Sequence, residues 1–234
     1  INASSFTKSV TITVTVPPPP ADTTAPSVTI IVPSRLDINN TNVSGLFVIN
    51  ASVNDSASSV FNVNLTIYNN TGNATGYIPM NLSAYNLTSG YWNKTFDSTT
   101  LPDGYYNLSV NATDSATAQN SAISANVSII IDNTKPNATA IAPANFTIQN
   151  GTMLINASVN DSLSRVFNAT FMLYNNTHNI TSWIFATPGT GNIDQGYWNT
   201  TFKTLTVPDG NYSITVNATD FAGNQKVINM SQIE

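Results

Sequence analysis

The sequence has no cysteine, which excludes disulfides, thiolate metal sites and a cysteine nucleophile. It is also poor in charge. Lys plus Arg number 7 and Asp plus Glu 12 in 234 residues, 8% charged in all, against roughly 25% in an ordinary soluble domain. The basic residues are scattered singly with no basic stripe, which argues against a nucleic-acid partner. No apolar run approaches the roughly 20 residues that cross a bilayer as a helix, so no membrane span is expected in this segment. A single histidine, His178, and a single glutamate, Glu234, leave little for acid–base catalysis. The chain opens at Ile1 with neither an initiator methionine nor a signal peptide.

Polarity comes instead from 34 Asn, 24 Ser and 32 Thr. Amides and hydroxyls stand at water-facing positions where most proteins place Lys and Glu. Hydrophobic residues make up 41%, enough to build packed cores for two domains of ordinary size.

The chain repeats itself. INASVND at Ile49–Asp55 recurs at Ile155–Asp161, GYWNKTF at Gly90–Phe96 matches GYWNTTF at Gly196–Phe202, and LPDGYYNLSVNATD at Leu101–Asp114 matches VPDGNYSITVNATD at Val207–Asp220. These pairs are 106 positions apart. Upstream the offset becomes 110, pairing Pro26 with Pro136 and Pro33 with Pro143, so the first repeat holds about four extra residues near Asn42–Phe47. INASSF at Ile1–Phe6 resembles VNATDF at Val216–Phe221, and VTITVTV follows at Val10–Val16. A chain that opens and closes on one repeat element is expected of a piece cut from a longer array.

Period-two alternation of apolar and polar residues runs throughout, as in Phe61, Val63, Leu65 and Ile67 against Asn62, Asn64, Thr66 and Tyr68. The alternation predicts seven strands per repeat. In the first they lie near 27–32, 46–53, 60–68, 76–83, 90–97, 105–113 and 122–131, and the second repeat ends on a strand at Lys226–Ile233. The fold class is therefore all-β: two tandem seven-stranded immunoglobulin-like β-sandwiches plus an N-terminal extra strand. The expected divisions are 1–16, a strand element; 17–24, a Pro-rich linker; 25–132, the first domain; and 133–234, the second. Pro17–Pro20 reads as a stiff spacer of roughly 12 Å, at about 3.1 Å per residue. Tyr106 and Tyr212, in the shared D-G-x-Y, fit a tyrosine corner whose hydroxyl bonds back to nearby backbone, or a core tyrosine whose hydroxyl reaches water. Asp103 and Asp209 of the same motif read as turn residues.

The succession DTTAP at Asp22–Pro26, PDG-x-Y, and VNATD-x-AGN at Val216–Asn224 resembles the tandem bacterial and archaeal Ig-like repeats of surface adhesins, filaments and biofilm proteins. The resemblance covers both complete repeats. It implies an extracellular, cell-surface location and partners that are like subunits or neighbouring repeats of the same protein. The Asn-rich, charge-poor face is similar in composition to glycosylated archaeal surface filaments. The missing core disulfide of animal-type Ig domains also favours a prokaryotic surface protein.

Asn-x-Ser/Thr, the N-glycosylation acceptor, occurs 26 times, where chance predicts about 8 for this content of Asn, Ser and Thr. Alternating strands of Asn and Thr generate some of that excess unaided, since i and i+2 share a face. They do not explain the avoidance of Lys, Glu and Gln. The candidates for N-linked glycans are Asn39, Asn50, Asn64, Asn69, Asn73, Asn81, Asn86, Asn93, Asn107, Asn111, Asn126, Asn137, Asn145, Asn156, Asn168, Asn175, Asn179, Asn199, Asn211 and Asn217.

Aspartates recur at set places. Alternating strand direction puts the loops after strands two and six at the pole where the linker arrives. Asp55 and Asp114 fall in those loops and Asp22 in the linker, with Asp161, Asp220 and Asp132 as their counterparts. Three carboxylates per junction suit calcium, which takes about 6–8 oxygens, and the resemblance implies junctions stiffened in this way. The alternative is that the aspartates cap turns. No other cofactor is required. Trp92 and Trp198 are repeat-equivalent and read as core. With no catalytic constellation, the chain reads as a structural element and not an enzyme. The functions in view are a filament or stalk segment, an adhesin stalk, or a non-catalytic accessory module of a secreted hydrolase. Val10–Val16 either completes a preceding repeat or inserts into a neighbouring subunit as a donor strand.

Overall fold

The computed structural model describes residues 20–34, 41–191 and 195–234. Val10–Val16, most of the Pro17–Pro20 run and Asn39 lie outside the described residues. The first unit contains β1 (Ser27–Val32), β2 (Asn42–Val43), β3 (Leu46–Asn54), β4 (Val60–Asn69), β5 (Gly72–Asn73), β6 (Ile78–Pro79), β7 (Asn81–Tyr85), β8 (Ser89–Asp97), β9 (Gly104–Asp114), β10 (Ser121–Ile123) and β11 (Val127–Ile131). The second contains β12 (Asn137–Ala142), β13 (Thr152–Asn160), β14 (Val166–Tyr174), β15 (Ile184–Phe185), β16 (Thr187–Gly191), β17 (Gln195–Lys203), β18 (Tyr212–Asp220) and β19 (Gln225–Ile233).

Each unit is a two-sheet sandwich. In the first, the order β1-β3-β8-β7 makes one sheet and β2-β11-β9-β4-β5 the other, with β10 beside β9 and β6 beside β4. In the second the orders are β12-β13-β17-β16 and β15-β14-β18-β19. The pairings are antiparallel except that β2 runs parallel to β11, a contact reduced in the second unit to the parallel bridge Thr147–Ile233. The pleat explains the cores. Alternate residues of β3 (Ile49, Ala51, Val53) and β9 (Tyr106, Leu108, Val110, Ala112) point inward and are buried. Their repeat-mates Ile155, Ala157 and Val159, with Ile214, Val216 and Ala218, do the same in a separate cluster. Each fully buried Leu, Ile or Val contributes roughly 1.5–3 kcal/mol. Trp92 and Trp198 are 7% and 4% exposed, each within its unit's core.

Two of the expected strands are broken. The fourth, expected over 76–83, divides: β6 pairs with β4 on one sheet and β7 with β8 on the other. Pro79 cannot donate to a ladder, and the chain changes sheet at buried Met80, whose N–H donates to Val63 O at 2.9 Å. The second unit crosses over in the same way at Ala186, which donates to Ala169 O at 3.0 Å. The seventh strand breaks at Ser124. Its N–H donates to Val110 O at 2.8 Å, while its hydroxyl accepts from Val110 N at 3.0 Å in place of a ladder carbonyl. In the second unit the last strand is continuous over Gln225–Ile233.

Both tyrosines form the corner. Tyr106 OH donates to Pro102 O at 2.9 Å and Tyr212 OH to Pro208 O at 2.6 Å. We expect Tyr106→Phe to lower the stability of the first unit by about 1 kcal/mol, the net worth of one such bond, measured by urea unfolding. An unchanged midpoint would mean that water replaces the contact at no cost.

Candidate metal centres and the clamp between units

The six aspartates singled out in the sequence meet as two triads. In each of the sets Asp22–Asp55–Asp114 and Asp132–Asp161–Asp220, one oxygen per carboxylate lies within 4.8 Å of the other two. The positions follow from strand direction. Asp55 follows the end of β3, Asp114 ends β9, and Asp22 precedes β1. Asp161, Asp220 and Asp132 hold the same places relative to β13, β18 and β12.

Each of the six aspartates accepts at least one hydrogen bond, and Asp114, Asp132 and Asp220 accept through both oxygens. Asp55 Oδ1 accepts from the N–H groups of Ala57 (3.0 Å) and Ser58 (2.9 Å), and Asp161 Oδ1 from Leu163, Ser164 and Arg165, each at 3.0 Å. Asp114 Oδ2 accepts from Asn120 Nδ2 and Asp220 Oδ2 from Asn224 Nδ2, both at 2.8 Å. The turn-capping alternative thus describes bonds these aspartates make, while the same carboxylates lie close enough together to share a cation. Asp55 is 4% exposed, yet its Oδ2 is buried with no hydrogen-bond partner, as is Asp22 Oδ2. Leaving a buried charged acceptor unsatisfied is costly.

The second triad is the more buried, with Asp132 and Asp220 each 1% exposed and Asp161 7%. Burial pushes the carboxyls of Asp132 and Asp220 up, against hydrogen bonds from Ser164 and Thr134 to the first and from Asn224 to the second. The negative charge of Asp161 adds to the rise at both. Two carboxylates at the 4.8 Å limit of the triad repel by roughly 3.5 kcal/mol at an effective dielectric constant of about 20. Asp22 is held below the ordinary range chiefly by the N–H of Thr24. A cleft of about 460 Å³, lined by Asp132, Asp161, Asp103, Lys135 and Gln195 among others, opens beside the second triad.

Beside that triad the linker is clamped to the first unit. Asp103, expected as a turn residue, instead reaches across the junction. Its Oδ1 accepts from Asn133 N (2.8 Å) and Nδ2 (3.1 Å), and its Oδ2 from Thr134 Oγ1 (2.6 Å). Burial raises this carboxyl, but the bonds from Thr134 and Asn133 outweigh it and leave the group below its ordinary value. Asn133 Oδ1 accepts from Ser98 Oγ at 2.7 Å and Gly45 N at 3.1 Å. Asn224 joins the parts. Its Nδ2 donates to Asp220 Oδ2 and to Asp132 O, both at 2.8 Å, while its Oδ1 accepts from Ser44 Oγ of the first unit at 2.6 Å. The sequence reading missed Asn133, Ser44 and Asn224. The one available signal was the AGN that follows VNATD-x.

The glycosylation candidates are dispersed. Asn50, Asn64, Asn93, Asn107, Asn111, Asn156, Asn168, Asn199 and Asn217 lie half-buried on strands, whereas Asn73, Asn86, Asn126, Asn137, Asn145, Asn179 and Asn211 are exposed. His178 is exposed in a loop, where its Nδ1 meets Thr177 Oγ1 at 2.8 Å. Among the described residues no helix is long and apolar enough to cross a membrane.

Residues 90–169, from β8 through the linker to β14, match the family described as "Bacterial Ig-like domain (group 3)". No curated protein matches the chain. Among solved structures it is similar to the fibronectin(III)-like modules of Clostridium thermocellum CbhA, at 19% identity and a TM-score of 0.42, over 88% of this chain and 93% of that one. It is also similar to dimeric latent PorU from Porphyromonas gingivalis, at 14% identity and a TM-score of 0.34, over 91% and 20% of the two chains. A third is red sea bream transglutaminase, at 10% and 0.31, over 91% and 32%. The sandwich topology and the family match agree on immunoglobulin-like repeats, a structural or accessory kind of module.

Proposed function

We propose that the chain is a non-catalytic segment of an extracellular, N-glycosylated stalk or filament at a cell surface, in which a bound divalent cation, calcium by its oxygen donors, stiffens the junction leading into each unit. One observation carries this reading: the same three-carboxylate group recurs at the linker-proximal pole of both units, and one corner of each is supplied by the segment that leads into the unit. A cation held there would tie that segment to two loops of the sandwich behind it. The donor set is hard oxygen throughout, which suits Ca²⁺ and disfavours softer metals. The unpartnered Asp55 Oδ2 gives the ion an oxygen that nothing else satisfies. An unbroken array is favoured over donor-strand exchange because β19 pairs with β18 from Gln225 to Ile233, so the second unit has its own last strand. Amides and hydroxyls that keep the surface soluble without charge are in keeping with a glycan-coated face.

Two predictions test this. Calcium added to chelator-treated protein should bind at two sites per chain by calorimetry and raise the unfolding temperature. At about 100 times the dissociation constant the gain is about 2.7 kcal/mol per site. Asp55→Asn and Asp161→Asn should each remove one site and leave the other. No heat and no thermal shift at millimolar calcium would sink the cation reading.

The second prediction concerns the clamp. Asp103→Ala should loosen the two units relative to one another, seen as a broader distribution of shapes in small-angle scattering, while each unit unfolds as before. A folded carboxyl held below its unfolded value contributes above the ordinary carboxylate range, and the contribution is lost as pH falls through the lowered folded value. The wild-type distribution should therefore broaden only below the ordinary pKa of 3.8. A variant indistinguishable from wild type would show that Asp103 does not hold the junction.

A further inference from the structure

The sequons divide into two structural kinds, and the division bears on which of them carry sugar. At Asn69, Asn86 and Asn175 the side-chain Oδ1 accepts from both the backbone N–H and the hydroxyl of its own sequon threonine. The pairs of distances are 2.9 and 2.7 Å to Thr71, 3.0 and 2.7 Å to Thr88, and 3.0 and 2.8 Å to Thr177. This turn does not need an amide. Asp97 makes the same one with Thr99, at 3.0 Å to the N–H and 2.7 Å to the hydroxyl. A carboxylate accepts such bonds at least as strongly. What asparagine adds at these three places is Nδ2, which donates no hydrogen bond among the described residues.

At several other sequons the residues have other work. The hydroxyls of Thr75 and Thr181, from the sequons of Asn73 and Asn179, accept from strand N–H groups, Ile67 at 3.1 Å and Leu173 at 3.0 Å. On the sheets, sequon asparagines stand directly opposite one another. Asn50 faces Asn93, which faces Asn81 on its other side, and Asn156 faces Asn199. On the other sheet Asn64 faces Asn111. Facing side chains leave the sheet in the same direction with Cβ atoms about 4.5–5.5 Å apart, too close for a sugar ring on each. The Oδ1 atoms of Asn50 and Asn156 are buried without a hydrogen-bond partner, so these carboxamides are covered by neighbouring atoms and do not stand clear of the sheet.

We propose that, among the described residues, Asn69, Asn86 and Asn175 bear glycans, and that the asparagines facing one another on the strands are left unmodified. The inference rests on the glycosylated reading above. Transfer joins Nδ2 to the anomeric carbon of a glycosyl phosphate donor. The anomeric C–O bond breaks, the phosphate leaves, and one amide proton is lost. At Asn69, Asn86 and Asn175 the turn holds the side chain through Oδ1 and leaves Nδ2 for that bond, with no sequon asparagine facing it across a ladder.

The test is site-localised mass spectrometry of the chain purified from the cells that make it, together with two variants made in the same cells. Glycan is expected on the peptides carrying Asn69, Asn86 and Asn175, and on neither member of the Asn50–Asn93 and Asn156–Asn199 pairs. Asn86→Asp should lose the mass of one glycan and keep its unfolding transition, because aspartate makes the same turn, while Asn93→Asp should keep the full glycan mass. Sugar on a member of either facing pair, or bare Asn69, Asn86 and Asn175 beside occupied strand sites, overturns the inference and leaves the glycosylated reading standing. A mass equal to the bare polypeptide overturns both.

Discussion

The N–H of Asp132 donates to Val43 O at 3.0 Å, at the end of the parallel pair that closes the first unit, while its carboxylate accepts from Ser164 N at 3.1 Å in the second. One residue thus finishes one sandwich and begins the buried acidic site of the next. Its carbonyl holds Asn224, which in turn reaches Ser44. Moving one unit against the other disturbs all of these together, so the second triad and the clamp beside it couple the two sandwiches jointly.

The acidic groups were legible in the sequence because each Asp recurs at a fixed place in the repeat, and period-two alternation fixed the direction of every strand between them. Strand direction alone then puts Asp55, Asp114 and the linker residue at one pole. The clamp was not legible. Asn133 has no counterpart amide in the first repeat, where Thr23 stands, and Asp103 looks like any Asp-Gly turn until the linker is laid beside it. The broken strands were hidden for a similar reason. A serine hydroxyl standing in for a ladder carbonyl at Ser124, or a change of sheet at Met80, leaves the apolar alternation intact and shows only in the pairing.

Scarcity of charge shapes the surface as well as the sites. Asparagine and threonine on the outer faces give a sheet that is polar without repulsion, and the same two residues close the loops through side-chain turns. Because one spacing serves strand, turn and sequon alike, the count of sequons does not by itself give the number of modification sites. What separates the uses is where each hydroxyl and amide finds its partner, and that is a property of the fold.

The balance at the junction explains why an acidic triad is useful there. Ordering the backbone of Asn133, Thr134 and Lys135 costs about 1–2 kcal/mol per residue. The bonds that Asn133 and Thr134 make with Asp103, Ser98 and Gly45 return about 0.5–1.5 kcal/mol each, so gain and loss nearly cancel and the clamp alone holds the linker only marginally. Three buried carboxylates beside it work against order as long as they repel one another. A divalent cation reverses the sign of that term at a single stroke, since it converts mutual repulsion into common attraction and ties Asp132 to the loops of Asp161 and Asp220. If the proposed cation binds, a junction poised near balance is one whose stiffness the cation concentration would set, and a stronger clamp would make the acidic triad redundant.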